Sequence, residues 1–293
     1  MAQHQEHLST VVNYYDTHPI NEEQILRALQ ARDIALDSLT EEVLKDHDQD
    51  HFGGLQANDV LAAKAGIGKE HHVLDVCSGM GGPARYLAHR IGCKVTGIDY
   101  TESRHKGAIK LTEMVGLSDL VDFIYGNALE MPFADNSFDV VIGQEAWCHV
   151  PEKSRLIAQC ARVVKPGGVI AFTDILRTDK LSTADMRRLR SEMTFPELET
   201  TAGYTRLLEN NGCTLLEHDD LSDVWKRVLE DRLAMYRSLG SETERSFGAE
   251  RSREWDEAYA FFVSRYREGK LGGGRFIARR DRKSVQDDED ENV

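Results

Sequence analysis

Apolar and polar residues alternate along the middle of the chain with two different periods. Short apolar runs at 73–77 and 94–99 are typical of strands, and similar runs lie near 121–125, 138–143 and 168–174. Segments with helical spacing separate the runs. Strands that alternate with helices of roughly 10–15 residues indicate βαβ units and a parallel sheet. The pattern therefore predicts a doubly wound α/β core.

The flanks of this core have helical patterns. Apolar residues recur at helical spacing through 25–36, and beyond Thr178 an apolar stripe at 221–233 precedes an aromatic one at 255–266. The run at 272–280 is the candidate for a late strand. Four segments are predicted: an N-terminal helical lid at 1–70, a core with the cofactor site at 71–178, a helical cap with the last strands of the sheet at 179–280, and an acidic, disordered tail at 281–293.

Charge and cysteine content exclude several functional classes. Fifty acidic residues against 36 basic ones give a net charge of −14, which argues against a nucleic-acid or anionic-membrane partner. The apolar run at 258–263 is far too short to cross a bilayer, and the first ten residues do not resemble a secretory signal. Five dispersed cysteines without a CxxC motif favour neither a metal site nor disulfides, so we expect a cytoplasmic protein.

A glycine-rich turn follows the first predicted strand. Its sequence, DVCSGMGGP from Asp75, contains Gly79-x-Gly81-x-x-Ala84, which fits the dinucleotide-binding fingerprint, although a purely structural tight turn is the alternative. Asp99 closes the next strand, where a carboxylate can accept both hydroxyls of a ribose, although an ordinary strand-end Asp would also fit. Together the two features predict a cofactor that carries a nucleoside.

Four segments give the chain a resemblance to class I S-adenosylmethionine-dependent methyltransferases. They are DVCSGMGG, GID, GNALEMPFADNSFDVVIGQEAWCHV and CARVVKPGGVIAFTD, which lie between residues 70 and 175. The resemblance implies a Rossmann-like seven-stranded sheet and S-adenosylmethionine as cofactor. A nicotinamide-dependent oxidoreductase, which shares only the glycine turn, is a rival, and so is a catalytically silent cofactor-binding protein.

The resemblance also implies a set of cofactor-binding residues. These are Asp75, Gly79 and Gly81 towards the methionine part, Asp99 at the ribose with Arg104 nearby, Tyr100 against the adenine, Asn127, Ala128 and Leu129 around it, and Gln144 beside the amino end. Three positions depart from the family pattern. Cys77 stands where the first glycine is usual, Asn127 where Asp is common, and Arg104 where a ribose-contacting Gln often lies.

The flanking segments resemble the methyltransferases that act on sarcosine, dimethylglycine and related zwitterions. This likeness rests on YYD at 14–16, HFG at 51–53, QEAWCH at 144–149 and GKLGGGRF at 269–276. It implies methyl transfer to the nitrogen or sulfur of a small amino-acid-like substrate, and a methionine S-methyltransferase would look similar. O- or C-methylation of a larger natural product or isoprenoid is the alternative. The chain is expected to be a monomer or a homodimer.

Candidate catalytic and substrate-binding residues lie mainly around the fourth predicted strand. His149, with an ordinary pKa of about 6.5, suits a base or hydrogen-bond donor, or else is satisfied structurally at a helix start. Tyr15 is the second catalytic candidate. It is expected either to close a lid over the cofactor or to anchor the first helix by burial. The predicted substrate-binding residues are Glu145, Trp147, His149, Arg177 and Tyr204. Trp147 either binds a cation or packs under the lid, and Arg177 either binds a carboxylate or is a solvated surface group.

Overall fold

Residues 2–282 are described by a computed structural model, so most of the predicted acidic tail lies outside the described residues. Seven strands form one sheet: β1 (His72–Val76), β2 (Lys94–Asp99), β3 (Val121–Tyr125), β4 (Phe138–Gln144), β5 (Val164–Arg177), β6 (Cys213–Asp220) and β7 (Leu271–Arg280). The strand order is β3-β2-β1-β4-β5-β7-β6. Strand β7 runs antiparallel to both neighbours, and the other pairs are parallel. The predicted seven-stranded α/β fold is confirmed.

Helices cover both faces of this sheet. The described residues form α1 (Ala2–Asp16), α2 (Glu22–Gln30), α3 (Glu41–Leu44), α4 (Gly54–Ala65), α5 (Gly82–Ile91), α6 (Glu102–Met114), α7 (Lys153–Val163), α8 (Thr183–Glu192), α9 (Thr201–Glu209), α10 (Ser222–Ser238), α11 (Gly240–Phe247) and α12 (Ala249–Arg267), with 3₁₀ turns at Leu36–Ser38 and Trp147–His149. Helices α4 and α5 pack on one face, and α7 and α9 on the other. Successive residues of a strand point to opposite faces of the sheet. A continuous apolar run therefore gives apolar side chains to the helices packed on both faces.

One strand was not predicted individually. The stretch from 180 to 270 was expected to be mainly helical, but β6 lies within it and pairs with β7 at the edge of the sheet. Its sequence, CTLLEHDD, has four polar residues at its end, and Leu216 is 50% exposed. An edge strand with one partner needs no continuous apolar run, so the usual signal of a buried strand is missing.

The cap and α1 meet above the carboxyl end of the sheet. Trp225, Leu229 and Leu233 of α10 pack against the aromatic stripe of α12, and Tyr14 of α1 belongs to the same buried cluster. The aromatic stripe at 255–266 is therefore chiefly a packing surface, although Tyr259 and Phe262 also reach the cleft below it. No helix among residues 2–282 is long and apolar enough to cross a membrane.

Candidate active site

A deep cleft lies at the carboxyl ends of β1, β2 and β4. The strand order reverses between β1 and β4, which is where open α/β sheets bind ligands. The empty space of the cleft, including its open mouth, is about 1490 Å³. Its lining comes from the strand ends, the N-terminal segment and the cap, so three parts of the chain meet around this cleft.

The glycine turn after β1 forms the floor of the cleft. Cys77, Gly79 and Gly81 have φ angles of 65°, 53° and 76°, all in the left-handed region. A Cβ atom on Gly81 would lie 2.3 Å from Cζ of Phe123, so no larger residue fits there. At Gly79 a Cβ would meet nothing within 4 Å, and its backbone is open to a ligand. Cys77 adopts the conformation that glycine would adopt without strain.

Two carboxyl groups stand beside this turn: that of Asp75 is buried and that of Asp99 is half-buried. Asp99 Oδ2 accepts the N–H of Gly79 at 2.8 Å, and Oδ1 accepts the N–H of Thr101 at 2.8 Å. Each oxygen keeps a lone pair for a hydroxyl. Asp75 is 3% exposed, and its Oδ2 has no hydrogen-bond partner among the described residues. Burial, assisted by the charge of Asp99, raises the pKa of Asp75 to about 7. An orphaned buried acceptor fits a ligand that brings a donor.

The expected adenine residues line the cleft beyond Asp99. Asn127 Oδ1 accepts the N–H of Leu129 at 2.9 Å, which fixes the turn containing Ala128. Tyr100 also lines the cleft and stacks on Tyr125, with ring centroids 5.8 Å apart. The structure therefore brings the predicted adenine-binding side chains to one wall.

The N-terminal segment closes the side of the cleft opposite that wall. Gln144 Nε2 lies 3.2 Å from Nδ1 of His51, and Gln144 Oε1 has no partner among the described residues. Arg104 donates to the carbonyl of Ile20 at 2.8 Å, and its guanidinium lies 5.1 Å from the ring centroid of Tyr15. Arg104, expected near the ribose, thus also ties α6 to the segment that follows α1.

His149 and Tyr15 come together over the cleft. Their ring centroids are 5.3 Å apart, and Nδ1 of His149 lies 2.8 Å from Oγ1 of Thr194. Burial lowers the pKa of His149 to about 3 and raises that of Tyr15 well above its usual value. Both side chains are therefore neutral near pH 7, and they can offer hydrogen bonds but no charge.

A guanidinium group forms part of the far wall. Arg232 Nη2 donates to the carbonyls of His51 at 2.8 Å and Gln49 at 3.3 Å, and Nη1 lies 3.5 Å from Asp50 Oδ1. An arginine has five N–H donors, so these contacts do not use all of them. Burial opposes ionisation of Asp50, but its cationic neighbours hold the pKa of that carboxyl below its usual value. This end of the cleft therefore presents opposite charges close together.

Two expected substrate contacts do not lie in the cleft. Trp147 is fully buried, stacks on Phe172 with centroids 4.3 Å apart, and donates its indole N–H to the carbonyl of Val76 at 3.2 Å. Arg177 is exposed, and its Nε donates to the carbonyl of Leu198 at 2.9 Å. The 3₁₀ turn directs the indole into the core, and Arg177 lies at the end of β5, so neither contributes to the cleft wall.

Tyr204, a third expected contact, is fully buried below the cleft. Its hydroxyl donates to Oδ2 of Asp174 at 2.5 Å, and Asp174 Oδ1 accepts the N–H of Cys148 at 2.9 Å. Burial raises the pKa of Asp174 to about 6. Tyr204 therefore supports the 3₁₀ turn that carries His149, and it has no direct access to a substrate.

Sequence reasoning missed several cleft residues. These include Arg232, Asp50 and His18, none of which lies in a recognisable motif. Thr194, which contacts His149 from behind the lining residues, was missed as well. Arg232 is placed between Leu229 and Leu233 of the apolar stripe, where a charged residue would normally be taken as the solvent-facing side of the helix. Only the packing of α10 over the sheet shows that this side meets the cleft.

Comparisons with known proteins agree with this geometry. Residues 74–172 match the family model of a methyltransferase domain. A glycine/sarcosine/dimethylglycine N-methyltransferase of Actinopolyspora halophila is 32% identical over 174 residues, which are 58% of this chain and 31% of that protein. A sterol 24-C-methyltransferase of Saccharomyces cerevisiae is 34% identical over 169 residues, 56% of this chain and 44% of the yeast protein.

Solved structures extend the likeness to the fold. A Galdieria sulphuraria protein assigned to the sarcosine dimethylglycine methyltransferases has a TM-score of 0.71 and 26% identity, and the match covers 78% of this chain and 86% of that one. Residues 74–172 of this chain are therefore a methyltransferase domain by their match, and the sheet around them has the fold of methyltransferases such as the Galdieria protein. The chain matches less than two thirds of the length of the curated relatives named above.

Proposed function

We propose that this methyltransferase transfers a methyl group to the nitrogen or sulfur of a small amino-acid-like substrate, such as sarcosine or dimethylglycine. S-adenosylmethionine supplies the methyl group as part of a sulfonium. The floor and walls of the cleft around Asp75, Gly79, Asp99 and Asn127 would hold this cofactor. Positioning of donor and acceptor in line can supply about 7–11 kcal/mol of the barrier reduction.

The observation that carries this proposal is the charged far end of the cleft. The N–H groups of Arg232 that the protein does not use suit a carboxylate, because a guanidinium binds carboxylates through two parallel hydrogen bonds. Glu145 also lines the cleft and is a neighbour of Arg232. A guanidinium and a carboxyl group in one wall complement the two charges of a zwitterion.

Tyr15 and His149 are proposed to shape the reacting end of the cleft. Their neutral side chains can orient the acceptor by hydrogen bonds and exclude water from it. A base with a pKa near 3 would be poorly matched to a proton transfer at pH 7, since the best catalytic pKa lies near the working pH. His149 therefore suits positioning better than proton abstraction.

C-methylation of a larger isoprenoid-like acceptor is the second candidate. Aromatic side chains around the cleft, including Tyr14, Phe195, Tyr236 and Tyr259, would stabilise a cation formed on an apolar substrate. The likeness to the yeast sterol 24-C-methyltransferase agrees with this possibility. The half-buried Arg232 favours the zwitterion, because an apolar acceptor would leave its spare donors without a partner.

The test begins with calorimetric binding of S-adenosylmethionine and S-adenosylhomocysteine, followed by methyl-transfer assays on sarcosine, dimethylglycine, glycine, methionine and geranyl diphosphate. Asp99→Ala should reduce the affinity for the cofactor at least tenfold, while Asp119→Ala, an exposed aspartate on the turn after α6, should leave it unchanged. Equal affinities in the two variants would refute the ribose role.

The acceptor assays separate the alternatives. Turnover of an amino acid supports the proposal. Turnover of geranyl diphosphate alone would refute it and support C-methylation of an isoprenoid-like acceptor. Cofactor binding without turnover of any acceptor would point to a silent cofactor-binding protein or an untested acceptor class. A cytoplasmic location and a monomeric or dimeric state stay predictions, which fractionation and light scattering would check.

A further inference from the structure

Glu145 has an unusual backbone conformation directly after β4. Its φ angle is 49°, in the left-handed region that a residue with a side chain rarely adopts. Its N–H donates to the carbonyl of Thr173 at 2.9 Å, and the thiol of Cys148 donates to its carbonyl at 3.3 Å. A strained position that the surroundings enforce is a reason to search for a function of its side chain.

The side chain of Glu145 is held between the core and the N-terminal segment. One carboxyl oxygen, Oε2, accepts the backbone N–H of Phe52, in the loop that closes the cleft beside Gln144. The residue lines the same cleft as Asp75, Asp99 and His149. Because one oxygen is fixed by Phe52, the carboxyl group has a defined place at the acceptor end.

The other titratable groups around Glu145 are less suited than its own carboxyl group to accept a proton at this end of the cleft. Burial raises its pKa to about 7, although the side chain of Thr173, the contact with Phe52 and the charge of Arg232 favour the ionised form; the charge of Asp174 opposes it. Burial keeps its other titratable neighbours, Cys148 and Tyr266, protonated by raising their pKa values. Of the histidines that line the cleft, His18, His51 and His149 all have pKa values lowered by burial, to between about 3 and 4.

We propose that Glu145 binds the cationic nitrogen of an amine acceptor and removes its proton before methyl transfer. This inference rests on the proposed function and names an ammonium-bearing acceptor. An N–H bond of the ammonium breaks, and the proton forms an O–H bond on the carboxylate. The freed nitrogen lone pair forms the new bond to the methyl carbon, and the electrons of the carbon–sulfur bond stay on sulfur. Glu145 releases its proton to solvent when the methylated ammonium leaves.

The first test is the pH dependence of kcat/KM with sarcosine and dimethylglycine. The wild-type enzyme should gain activity with a midpoint near pH 7. Glu145→Gln should lower kcat/KM about 100-fold at pH 8 and lack this midpoint, since general-base catalysis commonly contributes 10²–10⁴-fold. Glu145→Asp should restore part of the rate. Glu113→Gln, on the exposed side of α6, should behave as wild type.

The second test measures binding without turnover, in the complex with S-adenosylhomocysteine. Sarcosine is compared with methoxyacetate, which has the same shape but no charge on the central heteroatom. Wild type should prefer sarcosine at least tenfold at pH 8, and Glu145→Gln should lose the preference while it binds S-adenosylhomocysteine unchanged. Thermal unfolding of each variant checks that the fold is retained.

The outcomes distinguish this inference from the proposed function. If amines are methylated but Glu145→Gln keeps both the midpoint near pH 7 and the preference for sarcosine, Glu145 is not the proton acceptor and the proposed function stands. If wild type methylates methionine but neither binds nor methylates these amines, the inference on Glu145 fails and the proposed function stands. If wild type binds the cofactor yet neither binds nor methylates any amino acid of the panel, both fail.

Discussion

Glu41 lies in a buried cluster of charged side chains, with Asp48 and Arg85, near the glycine turn after β1. Its side chain is 1% exposed, Arg85 Nε is 3.7 Å from Glu41 Oε2, and Arg85 Nη2 pairs more closely with Asp48, at 2.8 Å. Neither carboxyl oxygen of Glu41 has a hydrogen-bond partner among the described residues. Burial and the charge of Asp48 raise its pKa from 4.5 to about 8, against the opposing effects of Arg85 and Lys45.

The direction of the effect on stability follows from this pKa. A carboxyl group whose pKa is higher in the folded state stabilises the fold fully below pH 4.5, and this contribution is lost as the pH rises through 8. A tenfold change in proton affinity corresponds to about 1.4 kcal/mol, so the whole loss is about 5 kcal/mol. Between pH 5.5 and 7.5 it is about 3 kcal/mol, a large part of the usual stability of 5–15 kcal/mol.

Glu41→Gln isolates this contribution, because glutamine resembles the protonated carboxyl group. Urea unfolding of wild type and variant at pH 5.5, 6.5, 7.5 and 8.5 gives the difference in the free energy of unfolding at each pH. We expect wild type to lose about 3 kcal/mol relative to the variant between pH 5.5 and 7.5. Glu113→Gln should show no such trend. A pH-independent difference for Glu41→Gln would mean that Glu41 is ionised in the folded protein, and the reasoning would fail.

Three further predictions concern the glycine turn after β1 and the 3₁₀ turn that carries His149. Gly81→Ala should abolish cofactor binding and lower Tm, because its Cβ would overlap Phe123; calorimetry and thermal unfolding check this. Cys77→Gly should keep cofactor affinity within about threefold, whereas Cys77→Val should lose more than tenfold, since a β-branched residue resists the left-handed conformation. Tyr204→Phe should destabilise the fold by about 1–3 kcal/mol in urea unfolding and lower kcat, because it leaves one oxygen of Asp174 unpaired; an unchanged protein would contradict its supporting role.

Local patterns predicted the central sheet well because each parallel strand carries its own signal. Val73 and Leu74, for example, pack on opposite faces, so the first strand is apolar throughout. Strand β6 lacks that signal because it lies at the edge of the sheet. The aromatic stripe of α12 packs mainly within the cap, although Tyr259 also meets the cleft.

The error at Trp147 has a specific structural cause. Its neighbours in the loop after β4 line the cleft, so an indole there suggested a cation site. The indole instead fills the space above Gly143, where a Cβ atom would lie 2.3 Å from Nε1 of Trp147. A glycine inside a strand often marks such a close approach. That glycine was the available sign that the tryptophan points into the core.

The two ends of the cleft differ in how far sequence can define them. The end proposed to hold the cofactor is lined by residues next to strand ends, such as Asp75 and Asp99, and the chain order places those ends side by side at the point where the sheet reverses. The acceptor end combines Glu145 from the core with Phe52 from the N-terminal segment and Arg232 from the cap. Neither contact follows from spacing along the chain, because each depends on how helices and loops outside the sheet pack over it. The acceptor can therefore change through the flanking segments while the cofactor end stays the same, which fits relatives that resemble this domain but methylate sarcosine in one case and sterols in another.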